Sequence, residues 1–149
     1  MRETVHMHWL LLVGICFYLS WTDMRQRRIP NIVLLVSGIF TGLFGIFLWG
    51  WEQWMEHLFL TGGILLAFGL IAWHRPALIG MGDVKLLGLL GFALGMRGFV
   101  LTMTWACAMA FLVSLLLLLL KRIDSRTPIP FAPFLTVGLL VYGLGISLS

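Results

Sequence analysis

Six apolar runs, at about 7–21, 32–50, 57–73, 84–96, 99–120 and 129–148, alternate with short polar segments along the chain. A helix needs about 20 mostly apolar residues to cross the hydrocarbon core of a bilayer. The pattern therefore predicts an all-α, polytopic membrane protein: a bundle of about six transmembrane helices in a single membrane-embedded domain, residues 1–149. The fourth and fifth runs are nearly continuous. The stretch "GMRG" (95–98) separates them, since two glycines and an arginine favour a turn in water over helix in mid-membrane. The first run is short and needs flanking residues or local thinning of the bilayer to span it.

Composition excludes a soluble globular domain. Hydrophobic residues make up 60% of the chain and charged ones 11%, with a mean hydropathy of +1.02. The isoelectric point of about 9.7 would suit a nucleic-acid partner, but the positions of the charges argue against one. Three alternate loops hold Arg25, Arg27, Arg28, Arg75, Lys85, Lys121, Arg122 and Arg126, which is eight of the ten basic residues. Basic loops stay in the cytoplasm, so both termini are expected outside (N-out/C-out). Asp23, Asp83 and Asp124 then fall on the cytoplasmic side, and Glu3, Glu52 and Glu56 on the outer side. The segment after Arg2 is expected to be a retained first span, because no small-residue cleavage site follows it.

Other residues read as membrane packing. Cys16 and Cys107 lie inside apolar runs without a CxxC spacing, as small packing residues. Trp49, Trp51 and Trp54 form an interfacial belt. Gly38 with Gly42, and Gly91 with Gly95, are GxxxG pairs suited to close helix approach. His6, His8, His57 and His74 are expected at the interfaces, and no metal site is indicated.

The aspartates carry the chemistry. Asp23 closes the first span in "DMRQRRIPN", and Asp83 opens the fourth in "GMGDVKLLGLLG". On this topology both stand at cytoplasmic helix ends, where a compact bundle can bring them together. Two close carboxylates cannot both ionise easily, so they share a proton near neutral pH. The ionised member can take a proton from water while the other hydrogen-bonds a scissile carbonyl. Such a pair needs no metal and no cofactor. Gly80 and Gly82 leave the backbone before Asp83 without Cβ atoms, so a substrate strand or a partner helix can come close. Pro30 suits the first turn of the second span and pushes Ile29 toward extended backbone.

Taken with "PIPFAPFLTVG" at the sixth run, these motifs make the chain resemble the prepilin peptidase family, membrane aspartic peptidases of the GxGD type, over essentially its whole length. The resemblance implies a plasma (inner) membrane enzyme with its active site facing the cytoplasm. Its substrate would be a prepilin-like membrane protein, cleaved after its basic leader. Asp23 and Asp83 would be the catalytic pair, with Gly80, Gly82, Lys85, Pro30, Asn31, Pro130 and Pro133 shaping the site or binding substrate. Larger relatives carry an N-terminal extension with a tetra-cysteine zinc site associated with N-methylation. The expectation here is the short, peptidase-only form. Ala132 stands in "PFAPF" where many relatives have glycine.

Lys85 is expected to pair with Asp83, to meet an acidic substrate residue, or to snorkel to the headgroups. Asp124 solvates its loop or recognises the leader. Membrane lipid is the other expected partner, holding a basic leader that the basic loops would not attract. The oligomeric state is open. The alternatives are a transport or scaffold protein with surface aspartates, and a GxGD protease acting on preflagellin-like substrates. Transport predicts acids near the bilayer midplane.

Overall fold

The computed structural model describes residues 2–26, 30–76, 79–120 and 131–148, with side chains for 9–25, 30–76, 79–120 and 131–145. These residues form four helices: α1 (Arg2–Gln26), α2 (Asn31–His74), α3 (Met81–Leu119) and α4 (Ala132–Leu148). No strand occurs among the described residues. Pro130 and Asp124 lie outside them.

Proline placement explains where helices start and stop. Pro30 is the residue before α2, with extended backbone (φ −67°, ψ 118°), one place earlier than its expected position in the first turn. Pro76 follows the end of α2, and Pro133 is the second residue of α4, where a missing N–H costs nothing. α1 runs well past its apolar run. Polar residues extend it, with the Thr22 hydroxyl donating to the Tyr18 carbonyl at 2.6 Å, and 25 residues reach about 37 Å at 1.5 Å per residue.

α2 and α3 are each interrupted at one glycine, Gly50 (φ 73°, ψ 170°) and Gly95 (φ 66°, ψ −179°). This backbone region is essentially confined to glycine. The chain reverses there. The first half of α2 runs alongside the first half of α3, with Asn31 bonded to Lys85 and Gly42 facing Phe92. The second half of α2 runs the opposite way, with His57 against Phe92 and Thr61 against Gly88. Likewise the second half of α3 lies antiparallel to α4, Gly98 meeting Tyr142 and Thr102 meeting Gly138.

The turn at Gly95 orphans carbonyls at the end of the preceding helical segment. His57 Nδ1, 2.7 Å from the Phe92 carbonyl oxygen, satisfies one of them. His57 thus belongs to a packed cluster with Trp49 (ring centroids 4.4 Å apart) and Phe92, a tighter role than an interfacial residue.

α2 packs on α3, α3 on α4, and α4 on α1, while α1 and α2 barely touch. Leu12, Leu19, Leu90, Leu135 and Leu139 form the closed centre. The outer surface is apolar too: Ile32, Phe47, Phe59 and Trp73 are each more than 70% exposed. α2 and α3 are long and apolar enough to cross a membrane. In lipid the hydrophobic effect gives little reason for helices to associate, so close backbone approach at small residues matters most. Gly138 provides it, since a Cβ there would run into the Thr102 carbonyl and lie 3.0 Å from the Ala106 nitrogen.

Candidate active site

Asp23 lies in the last turns of α1 and Asp83 in the first turn of α3, each flanking an apolar run rather than standing inside it. Both belong to the same end of the bundle. α1 and α4 run antiparallel, joined by a buried polar cluster: the Ser20 and Thr136 hydroxyl oxygens are 2.6 Å apart, and Thr136 Oγ1 also reaches the Cys16 carbonyl at 3.1 Å. One turn beyond that cluster, the Asp23 carboxylate accepts the backbone N–H of Ala132, the first residue of α4. That N–H is one of the donors a helix start leaves without an internal partner.

Asp83 is held in the same manner. It stands three residues after Gly80, the cap of α3, and its carboxylate accepts the Gly80 N–H. This is one half of a capping box. A Cβ on Gly80 would sit 3.5 Å from Asp83 Oδ2, ordinary contact.

The two acids feel each other. Burial pushes the Asp83 carboxyl up, the charge of Asp23 pushes it further, and the Gly80 N–H pulls against both, leaving it at about 6. Asp23 is buried, and desolvation raises its carboxyl above the usual range while the Ala132 N–H opposes the rise. Such a pair can hold one proton between its members at mildly acidic to neutral pH.

A model described as the type IV leader peptidase family matches residues 10–115, a span that includes both aspartates. The chain belongs to that family. Family members similar to it include the prepilin leader peptidase/N-methyltransferase of Bacillus subtilis (strain 168), 25% identical over 140 residues, which cover 93% of this chain and 56% of that protein. The prepilin leader peptidase/N-methyltransferase of Stutzerimonas stutzeri is 28% identical over 138 residues, covering 87% of this chain and 46% of that protein. The chain thus spans about half the length of the curated relatives it matches. No solved structure matches it.

The other predicted site residues separate into two groups. Gly80 and Gly82 stand next to Asp83 at the start of α3, and Pro133 follows Ala132, whose N–H Asp23 accepts, at the start of α4. Lys85 and Asn31 belong to the other group. Residues two apart on a helix point to different sides, and Lys85 Nζ donates to Asn31 Oδ1 at 2.9 Å rather than pairing with Asp83. Both line a groove of about 500 Å3 between α2 and the first half of α3, which neither aspartate touches. Pro30 adjoins Asn31 at the start of α2. Ser20 and Thr136 were not singled out from the sequence. Their signal is a hydroxyl inside an apolar run, one turn from Asp23 and from Ala132 respectively.

Proposed function

We propose that this family member is a membrane aspartic endopeptidase that removes the basic leader of type IV prepilin or pilin-like proteins. Cleavage occurs at the cytoplasmic face of the plasma (inner) membrane, in a bundle of six spans with both termini outside. Asp23 and Asp83 are its catalytic pair, and Gly80, Gly82 and Pro133 shape the site around them. The observation that carries the reading is the electrostatic contact between two acids remote in sequence, within the span matched by the family model.

The pair begins with one proton. The ionised carboxylate takes a proton from water as the water oxygen adds to the scissile carbonyl carbon. The protonated carboxyl passes its proton to the carbonyl oxygen. The tetrahedral intermediate, now a gem-diol, then collapses: one hydroxyl returns its proton to the ionised member of the pair as the C–N bond breaks, and the departing nitrogen takes the proton of the other member. The products are a carboxylic acid and an amine, and the pair again holds one proton. The backbone N–H groups of Gly80 and Ala132 aim the two carboxylates throughout. Which acid acts first as base is a property of the pair. Acids at helix ends, outside the apolar runs, support hydrolysis at a membrane surface over an ion path through the bilayer.

The test is a cleavage assay with the purified full chain in lipid and a panel of prepilin-like and preflagellin-like substrates. A shortened product is expected from the wild type, unchanged by a chelator, and none from Asp23→Asn or Asp83→Asn. Cleavage that survives either substitution overturns the assignment.

A further inference from the structure

The groove beside α3 is built for something other than the acids. Its wet end is where α2 and α3 begin. There Lys85 is exposed, and its partner is the neutral amide oxygen of Asn31. It meets no carboxylate among the described residues. An ammonium has three donors, so the cation keeps two of them and its whole charge. With Oδ1 turned to Lys85, the Asn31 amide nitrogen is directed away from it as a further donor.

Beyond this polar end the lining turns apolar, with Leu34, Ile39, Leu58 and Leu89 on the three walls. Trp54 closes the far end, its Nε1 donating to the Gly42 carbonyl at 3.0 Å. From Asn31 to Gly42 the trough runs about 16 Å at the helical rise.

Charge and polarity decide between occupants. The groove holds about 500 Å3. Cation and donors at the wet end with an apolar trough behind match an anionic amphiphile.

We propose that this groove binds one anionic phospholipid, its phosphate held by Lys85 and Asn31 and one acyl chain laid along the trough toward Trp54. Lys85 then serves the lipid and not the acids, on the face of α3 turned away from Asp83.

Native mass spectrometry of the full chain in detergent tests this, titrating phosphatidylglycerol and phosphatidylcholine with identical chains. One phosphatidylglycerol is expected to bind about tenfold more tightly than phosphatidylcholine, because the choline cation offsets the phosphate charge that Lys85 would meet. Lys85→Gln should abolish that preference. Gly38→Leu should weaken both lipids, because a Cβ at Gly38 meets nothing within 4 Å and the added side chain extends into the groove. Equal binding of the two lipids, an unchanged preference in Lys85→Gln, or full occupancy in Gly38→Leu overturns the proposal. So does competitive displacement of the lipid by an apolar substrate helix. The readout is lipid occupancy, so it stands or falls apart from the peptidase assignment.

Discussion

The hydroxyls of Ser20 and Thr136 are 2.6 Å apart in the buried seam between α1 and α4, one turn from Asp23 and from the Ala132 N–H that Asp23 accepts. The pair sets the register of the two helices at the point where it controls the position of a carboxylate. Thr136→Val keeps the shape but leaves the Ser20 hydroxyl without its side-chain partner, and should cost about 1–3 kcal/mol. On the proposed function, turnover should fall while KM holds. Thr136→Ser should restore most of both. Thermal unfolding and steady-state cleavage of the three proteins check this.

The raised carboxyl of Asp83 makes stability depend on pH. Its folded value, about 6, lies above the ordinary 3.8, so the folded protein holds the proton more tightly than the unfolded chain. That contribution is fully present below pH 3.8 and is lost as pH rises through about 6. Asp83→Asn removes the penalty of burying a charge. At pH 7 it should be more stable than the wild type by about 1 kcal/mol, once solvent screening of this part-exposed group is discounted, and so unfold at higher temperature. Its stability should be flatter between pH 4 and 6, as unfolding at stepped pH will show.

Asp23 acts on Asp83 through its charge. Asp23→Asn should therefore lower the Asp83 carboxyl, leaving it above the ordinary range because burial, the larger cause, persists. Infrared titration of the protonated carboxyl band measures the change. An unmoved Asp83 would show that the two do not communicate.

The two glycine reversals should differ in tolerance. Alanine at either Gly50 or Gly95 meets backbone strain of about 1–3 kcal/mol. At Gly50 the new methyl has open space, whereas at Gly95 it lies 2.7 Å from His57 Nε2. Gly95→Ala should thus destabilise more than Gly50→Ala, and should disturb the His57 bond to Phe92 as well. Comparing the two melting curves decides this.

Much of the architecture is legible in one dimension because lipid imposes it: apolar runs become helices, and "GMRG" holds the Gly95 reversal. The family is legible in the motifs around Asp23 and Asp83, both inside the matched span. The Gly50 break was legible as the boundary between the runs 32–50 and 57–73; what the pattern did not carry is that helix resumes at once through 51–57 in place of a polar loop. The hold on Asp23 was hidden as well. Its donor is a backbone N–H more than a hundred residues away, and main-chain atoms leave no trace in residue type. Lys85 stood two positions from Asp83, and sequence proximity suggested a pairing that helical geometry sends to Asn31 instead.

Both acids are gripped by main-chain amides, Gly80 for one and Ala132 for the other. Substitutions other than proline exchange side groups and sweep past these tethers without cutting either. Severing one without disturbing the backbone angles takes surgery on the polypeptide itself: an ester installed between Phe131 and Ala132 by semisynthesis puts oxygen in place of the N–H and leaves every side chain intact.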